Sequence, residues 1–416
     1  MADRKPLETE PYKGVRDFYP KDWAVLSTVF DMTRSVLTHR GYEEYQASPL
    51  ERSEMYESKG NEEIIDEQTY TFEDRGGRRV TLRPEMTPTL ARMVAGKRRE
   101  VAFPLRWFSI GNRFRYERPQ RGRLREFFQT DIDLVGAAEG EADIEIIMLA
   151  HEILTAYGAT DADFVIRVNS RKLLSAACAA ANLSDEEGVR EYWRLLDRKA
   201  KMSAAEFDAA RGEGLDPLRA IEEATDEAVR TEKEKLMTLI ETLKSRGVGN
   251  VVFEPEIVRG FDYYTGVVFE VNDTNPENPR ALFGGGRYDG LVAMFGGDPI
   301  PAVGFAFGDV TLVDFLTTHN LLPVAHTAPE LFIATPEIDD IKEAQALART
   351  LTCRTFVNIT EKKLSDQLRD ANKRSIPYVI VYGKEERERG LVKLKNMETG
   401  EEQEAQVGEL SALVTA

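Results

Sequence analysis

Residues 106–136 read RWFSIGNRFRYERPQRGRLREFFQTDIDLVG. The stretch opens apolar, passes through a loop bearing Arg113, Arg115, Arg118, Arg121, Arg123 and Arg125 against two carboxylates, Glu117 and Glu126, and returns as an alternating strand from Phe127 to Val135. Arginine forks match phosphate oxygens two at a time. Successive side chains of a strand point to opposite faces, so Phe127, Gln129, Asp131 and Asp133 share one. The pattern predicts a hairpin with guanidinium groups above an aromatic ring, an amide and two acids, which suits a nucleotide beside a small polar cation. A solvated basic loop is the plainer reading of any one arginine taken alone.

The rest of the chain sharpens that contrast. Its 416 residues carry 55 basic and 72 acidic side chains, a formal net charge of −17, which argues against a protein that coats nucleic acid over its whole surface. The basic window from Lys97 to Arg125 therefore focuses a positive field on one cleft. The length predicts two or three domains. Two distant cysteines, Cys178 and Cys353, and the scattered His39, His151, His319 and His326 offer no zinc-site spacing and no disulfide framework. The N-terminal MADRKPLETE has no apolar targeting core, and no run of about twenty apolar residues occurs. The expectation is a cytoplasmic enzyme without zinc and without a membrane segment.

Upstream, Trp23, Leu26, Val29, Phe30, Val36 and Leu37 recur at helical spacing and predict a helix ending near Arg40–Gly41. Tyr42 to Pro49 reads as an edge strand, and the pair offers a dimer surface or ordinary intrachain packing. Gly76–Gly77 predicts a hairpin, after which Pro84 opens a helix with Glu85 and Thr87 in its first turn. There Glu85 either binds an amine or complements the helix dipole.

Downstream, Glu139 to Tyr157 reads as a helix, and residues 171–247 as an Ala-rich, charged, helical insertion. Two glycine-bearing stretches follow: VRGFDYYTGVVFEV (258–271), which brings Arg259, Asp262, Tyr263 and Tyr264 to a strand mouth, and ALFGGGRYDGLVAMFGG (281–297), which precedes Arg287 and Asp289 with a glycine run. The glycines either admit a ligand close to the backbone or simply make a turn. PAVGFAFGDVTLVDFL (301–316) reads as a small-residue strand entering a helix. Beyond the Pro-bearing linker at 322–329, strands alternate with helices and predict an α/β domain with a largely parallel sheet.

In order, these pieces resemble the three motifs of class II aminoacyl-tRNA synthetases. GVRDFYP, TLRPEMTP, FRYERPQRGRLREFFQ, VRGFDYYTG and FGGGRYDGL are similar to the histidyl-tRNA synthetase family, the last two marking its histidine-specific branch. The resemblance covers nearly the whole chain. It implies an α+β catalytic domain over 1–325, an antiparallel sheet flanked by helices with the helical insertion at about 171–247, and an α/β anticodon-binding domain over 329–416. It implies a ligase that activates L-histidine with ATP and Mg2+ to histidyl-adenylate and transfers it to the 3′ end of tRNA(His), acting as a homodimer.

The resemblance also assigns residues. Arg115 and Arg259 flank the ATP α-phosphate as the catalytic pair; Glu117 meets the adenine amino group, Arg123 the distal phosphates, and Phe127 stacks on adenine. Glu85, Thr87, Gln129, Asp133, Tyr263 and Tyr264 match the histidine pocket. Three positions depart from the family pattern: Asp133 stands where many relatives have glutamate, Met86 replaces the glycine of LRPEGT, and Thr311 replaces the third-motif arginine that grips the γ-phosphate. Either Arg123, Arg287 and magnesium hold the ATP tail, or ATP binding is impaired. The competing assignment is a non-catalytic histidine-sensing paralogue, the regulatory subunit of ATP phosphoribosyltransferase, which generally lacks an anticodon-binding domain.

Overall fold

The computed structural model describes residues 7–57, 68–120, 122–199, 202–212, 216–260, 263–325 and 329–415. Arg121, Asp262 and His326, named above, lie outside them. Two compact units divide the chain, Met1–Val324 and Ala325–Ala416.

The first unit is built on an eight-stranded sheet. Its strands run in the order Glu43–Glu44, Leu105–Phe114, Glu126–Val135, Ala302–Gly308, Ala281–Arg287, Val267–Asp273, Phe164–Ser170 and Val251–Phe253. Every neighbouring pair is antiparallel except the outermost at each end. The arginine hairpin supplies two of the inner strands, in register from Leu105 opposite Val135 to Phe114 opposite Glu126. Strand alternation divides its side chains as the sequence predicts. Ile132 and Leu134 enter the main apolar core together with Ile146, Ile147, Ala150, Ile153 and Leu154 of the helix Glu141–Ala156, while Gln129, Asp131 and Asp133 face the other way.

The entry helix spans Pro20–His39 and buries Leu26, Val29, Phe30 and Leu37 in the same core. Gly41, at φ +77, ends the run in a conformation that favours glycine. The predicted strand from Tyr42 to Pro49 is shorter than expected. Only Glu43–Glu44 joins the large sheet, and beyond Pro49 the chain pairs again as Leu50–Arg52 in a separate three-stranded sheet with Arg79–Leu82 and Tyr70–Glu73. Proline has no N–H for the ladder, and here the chain changes sheets across it.

Among the described residues, five helices between Arg171 and Ser245 form the insertion. Their Leu173, Leu174, Leu195, Leu236 and Ile240 continue the core of the sheet, so the module is packed against the catalytic scaffold. In the second unit, Leu331–Ala334 pairs in parallel with Thr355–Val357 and Tyr378–Val381, and a final antiparallel hairpin, Leu391–Asn396 with Glu402–Gln406, extends the sheet. No helix among the described residues is long and apolar enough to cross a membrane.

Candidate active site

The polar face of the hairpin forms one wall of a cavity of about 160 Å³. That is below the roughly 300–1,000 Å³ of pockets for drug-sized ligands, and suits a single amino acid. Gln129, Asp131 and Asp133 line it from one strand, Gly304 and Ala306 from the next, and Gly284 from the strand after that. Glu85, Thr87 and Arg115 line it from the hairpin side, and Arg259, Tyr263, Tyr264 and Tyr288 complete it.

The glycines are sterically required. A Cβ on Gly304 would sit 2.3 Å from Asp133 Oδ1, and one on Gly284 would sit 2.4 Å from the Phe269 carbonyl and 3.0 Å from the Arg259 guanidinium carbon. Arg259 itself adopts φ +64, which strains a non-glycine backbone. Arg171 Nη2 holds that turn by donating to the Arg259 carbonyl at 2.7 Å.

Three acids on this wall are held differently. Asp131 is buried, paired with the fully buried Arg113 and accepting from Gln129 Nε2 at 2.6 Å. Asp133 accepts a short hydrogen bond from the Tyr288 hydroxyl, and its second oxygen is buried with no partner among the described residues. Burial pushes the Asp133 carboxyl up to about 8; the Tyr288 hydrogen bond opposes this and the charge of Asp131 adds to it. Glu85 accepts from Tyr263 at 3.1 Å. Burial pushes its carboxyl up to about 7, against the pull of Arg115 and the Tyr263 hydrogen bond. Two carboxyls poised near neutrality and an unpartnered oxygen are suited to a ligand that both donates and accepts protons.

Glu85 also corrects an expectation. The helix begins at Thr87, with Met86 at its cap, so Glu85 precedes it and is not a first-turn acid complementing the dipole. Met86, where the family pattern has glycine, is fully buried, its sulfur 3.7 Å from Arg83 Nη1.

The loop arginines separate into distinct roles. Arg115 reaches the cavity, donates to the Pro84 carbonyl at 3.0 Å, and lies with its guanidinium carbon 5.4 Å from the centre of the Phe127 ring. Arg123 pairs with Glu117 at 3.2 Å and keeps 49% of its side chain exposed. Glu117, Arg123 and Phe127 do not line the cavity, and Phe127 lies against Arg115, which does. Arg125 braces the loop, donating to Tyr12 at 2.9 Å and to the Glu117 carbonyl at 3.2 Å. Arg259 faces the cavity from the opposite side and pairs with Glu270 at 2.7 Å.

Arg287, expected at the ATP tail, is not in the cavity. It is fully buried, its guanidinium bonded to Asp143 at 2.9 Å, to Asp289 at 3.0 Å and to the carbonyls of Ala137 and Ala138, each at 3.3 Å. Strand alternation carries the signal that places it there. Phe283 lies on the apolar face, so Gly285 and Arg287 share that side, while Gly284, Gly286 and Tyr288 turn to the cavity. The same count identifies Tyr288, which the motif reading missed.

The family model described as "Histidyl-tRNA synthetase" matches residues 14–311, and the one described as "Anticodon binding domain" matches residues 323–416. The chain is 38% identical over 422 residues to a protein named histidine–tRNA ligase from Leptospira biflexa, covering 95% of each chain. It is 37% identical to one of the same name from Haloarcula marismortui, covering 94% of each. The fold is similar to the crystal structure of histidyl-tRNA synthetase from Nostoc sp. PCC 7120, with a TM-score of 0.79, 22% identity and 99% of both chains covered.

Proposed function

The chain belongs to the histidyl-tRNA synthetase family, and from that premise we propose how its residues perform the family's reaction. It activates L-histidine with ATP to histidyl-adenylate and transfers the histidyl group to the 3′ end of tRNA(His). The observation that carries this reading is the convergence of Arg115 and Arg259 on a cavity whose other walls hold Glu85 and Asp133. In activation, an oxygen of the histidine carboxylate bonds to the α-phosphorus and the bond to the bridging oxygen of diphosphate breaks. The bridging oxygen leaves with the diphosphate. Arg115 and Arg259 stabilise the charge that grows on the α-phosphoryl oxygens, where preorganised cations act most strongly in a buried site.

Selectivity comes from the polar walls. Asp133 with Tyr288, and Glu85 with Tyr263, give the imidazole and the α-amino group partners for donated and accepted hydrogen bonds. An apolar amino acid of similar size leaves those buried groups unpaired, and such sites discriminate strongly. Gln129, Thr87 and Tyr264 complete the pocket. Glu117 and Phe127 receive adenine beside Arg115, and Arg123 faces the phosphate tail. Among the described residues no group of three or more His, Cys, Asp or Glu is arranged to hold a metal ion. Magnesium is read as arriving with ATP, the phosphates providing most of its oxygen ligands.

In the second reaction the 3′ hydroxyl of tRNA attacks the adenylate carbonyl and AMP leaves. The 325–416 unit reads the anticodon in this assignment, and the chain works as a homodimer in the cytoplasm. Its match to an anticodon-binding model favours the ligase over the histidine-sensing paralogue. The test is histidine-dependent ATP–diphosphate exchange beside charging of a tRNA(His) transcript. Both should proceed at histidine concentrations that saturate the cavity; histidine binding without exchange would establish the sensor instead.

A further inference from the structure

With Thr311 in place of an arginine and Arg287 locked into the core, Arg123 is the one arginine assigned above that remains for the far end of ATP, and it is paired with Glu117. A second cavity, of about 250 Å³, opens beside the first unit's sheet and is lined in part by Gly122 of the arginine loop, Leu282, Thr311 and Arg280. The two cavities follow the same pair of strands. The first is lined by Gly284 and Ala306, and the second by Leu282 on one strand and by Thr311 in the first turn of the helix Asp309–Thr318 that follows the other.

Thr311 brings no charge, and its hydroxyl is already bonded, donating to the Leu282 carbonyl at 2.8 Å. Arg280 is the basic side chain on this wall, exposed and without an ion-pair partner among the described residues. Its Cδ and the Thr311 methyl each lie 3.9 Å from the point where a Cβ on Gly122 would stand. Gly122 is at φ +77, in the region that favours glycine. The loop, the free guanidinium and the space beside the short threonine therefore meet at one place.

We propose that Arg280 binds the distal phosphates of ATP in this chain, next to the shortened side chain of Thr311. The inference rests on the synthetase reading above and identifies the residue that completes its nucleotide site. A guanidinium with its donors free matches phosphate oxygens bidentately. Glu277 and Asp314 line the same cavity, so a bare anion meets repulsion there, whereas a triphosphate carrying magnesium presents both signs of charge. That pattern favours the magnesium complex of ATP over free phosphate.

The experiment measures dissociation constants of the magnesium–ATP complex and of AMP by calorimetry, in the full-length chain and in Arg280→Ala and Arg280→Lys. Wild-type diphosphate exchange is run alongside. AMP shares the adenosine and the α-phosphate but lacks the tail. Arg280→Ala should weaken ATP by about tenfold to a hundredfold, the scale of a lost charged hydrogen bond, and shift AMP by less than about threefold. Arg280→Lys should recover part of the loss, because it keeps the charge without the fork. Unchanged ATP affinity in Arg280→Ala overturns the assignment, as does an equal loss for ATP and AMP, which would make Arg280 a support for the adenosine site. Binding does not require turnover, so a wild type that fails to exchange diphosphate would overturn the synthetase reading while the ATP-to-AMP comparison still decides Arg280.

Discussion

The glycine strand and the arginine hairpin lie on either side of the strand Ala302–Gly308 and handle positive charge in opposite ways. At the end of the glycine strand, Arg287 is fully buried and makes four hydrogen bonds, two of them to carboxylates. At the tip of the hairpin, Arg123 is half exposed and its guanidinium has Glu117 as its one ion-pair partner among the described residues. A guanidinium has five N–H donors in a fixed plane. Once four of them are engaged inside the protein, little is left for a ligand, and the residue holds elements together. A loosely paired arginine at the surface keeps its donors and contributes little until a polyanion arrives. Each variant below should fall on one side of this division.

The largest effect is expected from Arg287→Ala. It leaves Asp143, which is fully buried, as an uncompensated charge, and breaking such a pair from one side typically costs about 3–5 kcal/mol. Urea unfolding should show that loss, and Asp143→Ala added to Arg287→Ala should recover part of it through a coupling of the two sites. The ATP KM of the folded fraction should stay near wild type. Stability within about 1 kcal/mol of wild type together with a raised ATP KM would instead return Arg287 to the nucleotide.

These two arginines also measure how much the sequence discloses. The hairpin was legible because everything that defines it is local: alternation from Phe127 to Val135, turn residues between, and a charge excess inside an acidic chain. The wall formed by Gln129, Asp131 and Asp133 follows from that alternation alone, as do the apolar faces of the helices at 20–39 and 141–156. What could not be read locally depends on distant partners. The partner of Arg287 is Asp143, 144 positions away, and that of Glu85 is Tyr263, 178 away. A motif records that an arginine or an acid recurs, without recording which face of a strand it occupies. For that reason the sequence offered Arg287 for the ATP tail and passed over Tyr288, its neighbour on the opposite face.

An intermediate effect is expected from Asp133→Asn, which tests the buried side of the division by pH. The Asp133 carboxyl moves from an ordinary value of 3.8 to about 8 in the folded chain. Between those values the folded protein holds a proton that the unfolded chain has released. Stability therefore falls as pH rises through that window and levels off above about 8. From pH 6 to 8.5 the contribution of this group is of order 2–3 kcal/mol. Thermal unfolding should decline more steeply over that interval in wild type than in Asp133→Asn, whose amide stays neutral throughout. Glu85, raised from 4.5 to about 7, acts with the same sign at lower pH, so the variant should retain a shallower slope that ends earlier. Identical slopes above pH 7 would mean that Asp133 is ionised in the folded protein and that an unrecognised cation faces its open oxygen.

The smallest effect on the fold is expected from Arg123→Ala, and this variant sharpens the exposed side. An ion pair of this exposure is worth about 0–1 kcal/mol, so unfolding should move by less than that. The ATP KM in diphosphate exchange should rise severalfold while the histidine KM stays put, because Arg123 lies outside the cavity lined by Glu85 and Asp133. The two constants separate a ligand contact from a structural one. Salt gives a further check: an exposed cation acting on phosphates is screened over a Debye length of about 10 Å at 0.1 M and about 3 Å at 1 M. The difference in ATP KM between wild type and variant should accordingly shrink as salt is raised, whereas the stability loss in Arg287→Ala should persist, since a fully buried pair is screened much less. If Arg123→Ala lost several kcal/mol of stability, or if its ATP KM matched wild type at low salt, exposure would no longer be a sound guide to which of these arginines serve the ligand.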